Sequence, residues 1–247
     1  MSRGVLVTGG SRGIGAAIAA VFASQGDRVA VHASAPSDHA TATLTDLPGT
    51  GHGLVYADLL DADQIRRMVD EAAELLGGID VLVNNAGVFF THPVGETDYA
   101  AWQQAWQATL GVNLLGAANV TWCALQHMPD GGRIVNVGSR GAFRGEPRSP
   151  AYGASKAALV AFGQSLAKDL GPRRIAVTTL APGFVETDMA ASELVGEKGA
   201  IRRAESPYNR VANVAEVAEA VLYLASPQAE WASGAVLDFN GASYLRM

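Results

Sequence analysis

A glycine-rich turn within residues 5–15 restricts the possible folds of this chain more than any other segment. The turn follows a short apolar strand and opens into an Ala/Ile-rich helical pattern. Gly9 can adopt the positive φ of a sharp strand-to-helix turn, Gly13 leaves room for a bulky anion, and Gly15 lets the helix lie close to a sheet. Because a helix N-terminus presents free N–H groups and the positive end of its dipole, the turn predicts a pyrophosphate site. A glycine turn without a ligand is the alternative interpretation.

Short, β-branched apolar segments alternate with helical patterns along the whole chain. Strands are predicted at residues 5–8, 28–33, 53–56, 81–84, 134–138, 175–181 and 236–239. Helices are predicted near residues 13–25, 39–46, 61–76, 98–127, 150–170 and 213–225. This alternation implies right-handed crossovers between parallel strands. We therefore expect one doubly wound α/β domain over residues 1–247, with a Rossmann-like parallel sheet of about seven strands and helices on both faces.

Composition excludes several classes of protein. The chain has 247 residues, 49% hydrophobic and 17% charged, as expected for a globular protein with a buried core. Its formal net charge of −6 argues against a nucleic-acid-binding face. We expect no membrane partner, because no apolar run approaches the roughly 18 residues of a membrane span. We also expect no signal peptide, a buried thiol at the sole cysteine, Cys123, and a cytoplasmic location. No residue is assigned as a metal ligand.

The residues that follow the second strand distinguish NADP from NAD. An NAD site usually has a carboxylate here to accept from the ribose 2′-hydroxyl, but this strand ends in Val31-His-Ala-Ser34. Asp38 comes later and is better explained as a helix N-cap. Arg12 in the glycine turn can bind a 2′-phosphate together with Ser34, and His32 is a weaker candidate. We therefore predict NADP(H) in preference to NAD(H), with plain surface roles for Arg12 and His32 as alternatives.

Further cofactor contacts are predicted where the third and fourth strands end. Asp58 can accept from the adenine amino group, or it can cap the following helix. The segment Asn84-Asn-Ala-Gly87 is small enough to pass close to the adenine ribose. Its two asparagines can equally tie neighbouring strands together.

The pair Tyr152 and Lys156 has the spacing that places two side chains on one face of a helix. A nearby Lys⁺, helped by an oxidised nicotinamide ring, is expected to lower the phenol pKa from its usual value of about 10. Tyr152 can then exchange a proton with a substrate oxygen as hydride moves. Lys156 can also hold the ribose hydroxyls of the cofactor.

Two further polar residues belong to the predicted catalytic group. Ser139 follows a central strand, and its hydroxyl can bind the substrate oxygen or cap a turn. Asn113 lies inside a helical pattern that it does not favour. Its presence there predicts a local kink of the helix that holds a water near Lys156. The alternative interpretation is an ordinary buried asparagine with its hydrogen bonds satisfied.

In order and spacing these motifs resemble those of the short-chain dehydrogenase/reductase family, from residue 4 to about residue 241. The matching segments are Thr8-Gly-Gly-Ser-Arg-Gly-Ile-Gly15, Asn84-Asn-Ala-Gly87, Asn113, Ser139, Tyr152-x3-Lys156 and Pro182-Gly183. The resemblance implies an NAD(P)-dependent oxidoreductase whose catalytic residues are Asn113, Ser139, Tyr152 and Lys156. The full set of predicted cofactor contacts is Gly9, Ser11, Arg12, Gly13, Ile14, Gly15, Ser34, Asp58, Asn85, Ala86, Gly87, Tyr152, Lys156, Pro182, Gly183 and Thr187.

Within that family, the segment Ala181-Pro-Gly-Phe-Val-Glu-Thr-Asp-Met189 is similar to 3-oxoacyl-[acyl-carrier-protein] reductases and their relatives. This resemblance implies an NADPH-dependent homotetramer that reduces a small-molecule ketone, with carriage of the substrate as a thioester left open. One departure is Phe239-Asn-Gly-Ala-Ser243, where many relatives carry Asp-Gly-Gly. It concerns the C-terminal turn rather than catalysis.

Residues 184–210 lose hydrophobic periodicity and are predicted to form a substrate lid. The family pattern implies that Thr187 binds the nicotinamide carboxamide. Three arginines add positive charge that suits either an acyl-carrier protein, an anionic substrate or plain solvated surface: Arg202, Arg203 and Arg210. Three rings either line the substrate pocket or pack elsewhere: Phe143, His92 and Phe184.

Three functions compete at this point. The leading hypothesis is an NADPH-dependent reductase of a 3-oxoacyl thioester-like ketone. The second is a dehydrogenase that oxidises a secondary alcohol, sugar or steroid with the same residues. A catalytically silent nucleotide-binding regulator is disfavoured, because all four reactive residues are present.

Overall fold

Seven short apolar strands form one parallel sheet in the order β3-β2-β1-β4-β5-β6-β7. The computed structural model describes residues 2–246, apart from the side chain of Ser192, so the outermost residues of the expected domain lie outside the description. The strands are β1 Gly4–Val7, β2 Arg28–Ala33, β3 Gly53–Tyr56, β4 Val81–Asn84, β5 Arg133–Val137, β6 Ala176–Pro182 and β7 Val236–Phe239. The doubly wound, Rossmann-like sheet predicted from the sequence is confirmed.

Helices cover both faces of the sheet. They are α1 Gly13–Ser24, α2 Asp38–Asp46, α3 Ala62–Leu76, α4 Tyr99–Leu110, α5 Ala117–Leu125, α6 Gly141–Arg144, α7 Pro150–Asp169, α8 Gly196–Ala204 and α9 Val214–Leu224. A π-helical segment, Gly111–Gly116, separates α4 from α5, and short 3₁₀ turns lie at Gly171–Arg173, Asp188–Glu193 and Pro227–Ala232. The region predicted to be aperiodic therefore contains α8. Only Gly199 of α8 is buried, so this helix has no apolar stripe that a sequence pattern could reveal.

The sheet separates two apolar cores, because alternate residues of a strand point to opposite faces. In β1, Leu6 packs with Ile65 of α3 on one face, whereas Val5 packs with Phe22 of α1 and Val221 of α9 on the other. Each of these side chains is fully removed from water. Burial on this scale stabilises the fold by about 1.5–3 kcal/mol per large apolar side chain.

The helical stretch Tyr99–Leu125 is unusually long and apolar. It has 27 residues, reaches a mean hydropathy of 1.3 and, by length and composition alone, would suffice to cross a membrane. The prediction that no stretch approaches such a length is therefore wrong for this one. Half of its most apolar window is buried inside the protein, and its two helices pack against α3 and α7. This is the packing of a core helix in a globular domain.

Two acidic residues differ from their predicted roles at helix starts. Ser37, rather than Asp38, caps α2 by accepting a hydrogen bond from the Ala40 N–H at 3.2 Å. Asp61, rather than Asp58, caps α3. Asp58 is exposed and accepts from the Leu60 N–H at 3.0 Å within the preceding turn. In both cases the chain enters the helix at a different residue from the one that the pattern indicates.

The strand order reverses between β1 and β4, which are neighbours in the sheet. In open parallel sheets, ligands bind at such a point, beyond the carboxyl ends of the strands. The glycine turn follows β1, the segment Asn84-Asn-Ala-Gly87 follows β4, and Ser139 follows β5. The fold therefore brings the predicted site residues to one edge of the sheet.

Candidate active site

The glycine turn after β1 has the geometry predicted for it. Gly9 and Gly13 have positive φ values of 60° and 55°. A Cβ built on Gly15 would lie 2.1 Å from the Gly9 carbonyl oxygen, so only glycine fits where the helix meets the turn. The start of α1 has no side-chain cap and no acidic residue in its first turn. Its N–H groups are therefore available to an anion, and the turn fits the pyrophosphate of a dinucleotide.

Asn85 and Thr8 hold the glycine turn in place. The Asn85 side-chain amide donates to the carbonyl oxygens of Thr8 at 2.9 Å and Gly9 at 3.0 Å. The Thr8 hydroxyl accepts from the backbone N–H groups of Asn85 and Ala86 at 3.0 and 3.1 Å. The neighbouring Asn84 donates to Asn136 of β5 at 2.9 Å. The strand-tying interpretation of the two asparagines is therefore confirmed, and cofactor contact through Asn85 remains a prediction.

His32 occupies neither of its predicted positions. It is buried, its Nδ1 accepts from the Gly9 N–H at 3.0 Å, and its Nε2 lies 3.1 Å from the Ala57 carbonyl oxygen. Both predicted roles, as a 2′-phosphate contact and as a surface residue, are wrong, because the side chain is buried on β2 between β1 and β3. Burial lowers the pKa of His32, which favours the neutral ring that can accept from Gly9.

The residues predicted to bind the adenosine half of the cofactor lie at solvent-exposed positions near the carboxyl edge of the sheet. Arg12 is exposed at the N-cap of α1, and Ser34 is exposed just beyond β2. The Ser11 carbonyl oxygen accepts from the Thr43 hydroxyl at 2.9 Å, which joins the glycine turn to α2. Ile14 is half-buried in the first turn of α1. Their cofactor contacts remain predictions.

Lys156 is buried near the carboxyl end of β5. Its Nζ donates to the Val137 carbonyl oxygen at 2.8 Å and lies 5.8 Å from the centre of the Tyr152 ring. A Cβ built on Gly87 would lie 3.5 Å from the same Nζ, so the segment after β4 passes close to this ammonium group. Burial lowers the pKa of Lys156 to about 8.

Tyr152 and Ser139 are brought together as predicted. Burial raises the pKa of Tyr152, and a hydrogen bond with Ser139 partly opposes this rise. Desolvation therefore governs the phenol pKa in the protein alone, and a lower pKa beside Lys156 and an oxidised nicotinamide stays a prediction. Ser139 also accepts from the Gly141 N–H at 3.0 Å. It thus caps its turn and contacts Tyr152 at the same time.

Asn113 lies in the π-helical segment, so the helix is irregular where the kink is predicted, and its buried amide is hydrogen-bonded as the alternative interpretation expects. Its side chain accepts from the Val88 N–H at 2.8 Å and donates to the Val88 carbonyl oxygen at 3.0 Å. It also donates to the Ser155 hydroxyl at 3.1 Å. Single π-helical turns occur often at functional sites. The amide fixes the loop after β4 against α7, and the predicted water near Lys156 remains a prediction.

The segment predicted as a lid begins beside the glycine turn. Pro182 ends β6, and the backbone N–H of Gly183 donates to the Phe239 carbonyl oxygen at 3.0 Å. A Cβ built on Gly13 would lie 3.6 Å from Cγ2 of Thr187. Thr187 therefore lies over the turn that is predicted to hold the cofactor phosphates.

Carboxylates balance most of the positive charge in the lid. Arg202 pairs with Glu193 and with Glu205, each at 2.8 Å, and Arg210 pairs with Glu216 at 2.6 Å. Arg203 donates to a backbone carbonyl oxygen, that of Leu194, at 3.2 Å. These arginines thus stabilise the lid itself, which favours the surface interpretation over an anion-binding one.

The three rings that could line the substrate pocket or pack elsewhere lie in different environments in the structure. Phe184 lies between the guanidinium groups of Arg140 and Arg202, 5.0 and 4.9 Å from its ring centre, and lines a cavity of about 250 Å³. Phe143 packs under the Arg246 guanidinium at 4.2 Å. His92 is buried and accepts from the Ala151 N–H at 3.2 Å. Of the three rings, Phe184 is the one that lines this cavity.

Sequence reasoning missed two residues at the site. Phe89 packs edge to face against the Tyr152 ring, with a centroid distance of 5.0 Å. Arg140, next to Ser139, is buried and bonds both Glu205 and Ser243. Their partners lie far away along the chain, so no local pattern reveals them. Within residues 2–246, no group of three or more His, Cys, Asp or Glu side chains is placed to hold a metal.

Comparison with known proteins agrees with this geometry. A family model described as enoyl-(acyl carrier protein) reductase matches residues 9–241. The chain is 37% identical to a 3-oxoacyl-[acyl-carrier-protein] reductase, FabG, from Aquifex aeolicus, covering 97% of this chain and 96% of that protein.

Solved structures extend the likeness. A short-chain dehydrogenase from Burkholderia cenocepacia in complex with NADP has a TM-score of 0.88 at 35% identity, covering 98% and 97% of the two chains. A short-chain dehydrogenase/reductase from Serratia marcescens has a TM-score of 0.89 at 37% identity, covering 97% and 96%. This chain belongs to the short-chain dehydrogenase/reductase family of NAD(P)-dependent oxidoreductases.

Proposed function

We propose that this protein uses NADPH to reduce a ketone, of the 3-oxoacyl thioester type, to a secondary alcohol. The observation that carries the proposal is the environment of Tyr152. Its side chain shares a hydrogen bond with Ser139, and the buried Lys156 Nζ lies 5.8 Å from its ring centre. Reduction of a carbonyl needs a proton donor at this place, and oxidation of an alcohol uses the same phenol as a base. We propose the reductive direction because a relative from Aquifex aeolicus is a 3-oxoacyl-[acyl-carrier-protein] reductase.

Each polar residue of the site then has one role. The Ser139 hydroxyl donates to the ketone oxygen and stabilises negative charge as it develops there. Tyr152 gives its proton to that oxygen, which completes the alcohol once the carbonyl carbon has accepted a hydride. The nicotinamide of the bound cofactor supplies this hydride. Lys156 stabilises the phenolate that remains, and Asn113 positions the loop that borders the ketone.

The choice of NADPH rests on charge at the edge of the sheet. The exposed Arg12 can pair with a 2′-phosphate, and the strand that precedes Ser34 ends without a carboxylate. A relative from Burkholderia cenocepacia was solved in complex with NADP. The 3-oxoacyl thioester substrate is proposed because a relative from Aquifex aeolicus is a 3-oxoacyl-[acyl-carrier-protein] reductase.

We also propose a homotetramer that acts in the cytoplasm. Large apolar side chains on the α4–α5 stretch are strongly exposed, with Tyr99 78% and Trp122 64% accessible. A second exposed group lies near the edge strand β7, where Trp231 is fully accessible. Two separate groups of exposed apolar side chains suit two kinds of twofold contact. The buried free thiol of Cys123 is compatible with a reducing compartment.

Loss of NADPH absorbance with a panel of ketones tests the proposed reaction. The panel contains acetoacetyl thioesters, simple ketones and sugars, each measured with NADPH and with NADH. We expect turnover of thioesters with NADPH, and none for Tyr152→Phe although that variant still binds NADPH. Absence of turnover with every ketone would refute the proposal, and turnover of Tyr152→Phe near the wild-type rate would refute the role of the phenol.

A further inference from the structure

Two exposed aromatic rings lie on the loop that follows β4. Phe89 is 41% and Phe90 43% accessible. The Phe89 ring packs edge to face on Tyr152, with centroids 5.0 Å apart and planes at 71°. Tyr152 is the proton donor of the proposed reaction. An accessible apolar surface thus borders the place where the reacting carbonyl must lie.

This loop is held rigidly at both ends. At one end, the Val88 backbone is bonded on both sides by the Asn113 amide, at 2.8 and 3.0 Å. At the other end, the His92 ring bonds the Phe90 carbonyl oxygen at 2.8 Å and accepts from the Ala151 N–H at 3.2 Å. The exposure of Phe89 is therefore built into the fold. Exposed apolar groups on a fixed frame generally mark a contact surface.

Residues 184–210, the predicted lid, also expose apolar side chains. Met189, Val195 and Ile201 are each more than half accessible. Two arginines of this segment are paired with carboxylates: Arg202 with Glu193 and Glu205, and Arg210 with Glu216. With its arginines paired, the lid favours an apolar ligand group over an anionic one.

We propose that Phe89 contacts an apolar group of aryl size attached to the ketone carbon, so that the enzyme prefers aryl ketones to methyl ketones. The inference rests on the proposed ketone reduction. A carbonyl oxygen that is bonded to both Ser139 and Tyr152 leaves its substituents beside the neighbouring Phe89 ring. Paired aromatic rings attract each other beyond simple burial, whereas a methyl group fills little of this surface.

A matched pair of substrates tests this contact. Benzoylacetyl- and acetoacetyl-N-acetylcysteamine share the same thioester and differ only in the group on the ketone carbon. We expect wild-type kcat/KM to favour the aryl ketone by about tenfold or more. Phe89→Leu should lose most of this preference through a higher KM for the aryl substrate. Phe90→Leu is the matched control, one residue further along and equally exposed, and should keep the preference.

A ligand-binding measurement makes the test independent of turnover. Acetophenone and 2-butanone are titrated by ligand-observed NMR into the wild type and both variants, with and without NADPH. Tighter binding of acetophenone that is lost only in Phe89→Leu supports the contact, even where no ketone is reduced and the proposed reaction fails. Equal binding of the two ketones, or an equal loss of kcat/KM for both thioesters in Phe89→Leu, overturns the inference. The second result would mean that Phe89 acts only on the position of Tyr152.

Discussion

Among single residues, Lys156 shows how burial acts on a charged group. Its pKa is about 8 in the folded chain, against a usual value of 10.5. The difference corresponds to about 3 kcal/mol. Between these two pH values the unfolded chain binds more protons than the folded chain, so this group makes stability rise with pH through that window. Below it, the buried ammonium destabilises the fold by the full amount.

Replacement of Lys156 by Met is therefore expected to stabilise the cofactor-free protein at neutral pH while abolishing turnover. Loss of the hydrogen bond to the Val137 carbonyl oxygen costs about 1 kcal/mol, so a net gain of about 2 kcal/mol remains. Urea denaturation at several pH values measures it, and the gain should shrink as pH rises from about 8 to 10.5. Lys168→Met, at an exposed position on the same helix, is the control. A lower stability of Lys156→Met at every pH would contradict the argument.

Arg12 is the residue on which the preference for NADPH depends. Because it is exposed at the N-cap of α1, its guanidinium is free to pair with a 2′-phosphate. Arg12→Ala should weaken NADPH binding by about 10- to 100-fold, as loss of a charge-assisted contact does, and leave NADH binding nearly unchanged. Fluorescence titration with each cofactor measures the two affinities. Equal weakening of both, or an equal effect of Arg66→Ala on the exposed face of α3, would count against a phosphate contact.

At the scale of elements, α7 depends on a cap from outside its own sequence. Ser149 occupies the N-cap position without a side-chain hydrogen bond. The His92 ring supplies the missing acceptor for the Ala151 N–H, although it lies 59 residues earlier. The hydrogen bonds of His92 therefore fix the loop that carries Phe89 against the helix that carries Tyr152.

His92→Phe tests this link between loop and helix. The variant replaces the imidazole by a somewhat larger apolar ring and leaves the Ala151 N–H and the Phe90 carbonyl oxygen without their partner, which costs about 1–3 kcal/mol. We expect this loss of unfolding free energy in chemical denaturation, together with a lower kcat. His39→Phe, on the exposed start of α2, is the control and should change neither quantity. Wild-type stability of His92→Phe would show that the bridge contributes nothing.

At the scale of the whole molecule, the exposed apolar faces predict contacts between subunits. Trp122 on α5 and Trp231 near β7 lie on the two faces that we propose as subunit contacts. If the protein is a tetramer with two kinds of interface, each substitution to Glu should leave one interface intact. Light scattering after gel filtration is expected to show a tetramer for the wild type and dimers for Trp122→Glu and for Trp231→Glu. A monomeric wild type would refute the assembly.

Local features made much of the fold predictable from the sequence. Four strands have the predicted bounds, namely β2, β3, β4 and β7, and the other three differ by one residue at each end. The reason is that apolar periodicity and glycine conformations depend on neighbours a few residues away. The irregular helix at Asn113 could also be predicted from the sequence, because asparagine competes for backbone hydrogen bonds inside a helical pattern. The N-cap residues of α2 and α3 could not be predicted from the sequence, since several adjacent residues are suited to each cap position.

By itself, the sequence determined the order of strands and helices, the glycine turn and the identity of the four polar residues that meet at the site. Only the tertiary structure decided what each side chain does there. It buried His32 against Gly9, raised the pKa of Tyr152 and set Phe89 beside that ring. The physical reason is distance along the chain: propensity and periodicity act between near neighbours, whereas burial, charge pairing and ring contacts depend on residues that only folding brings together.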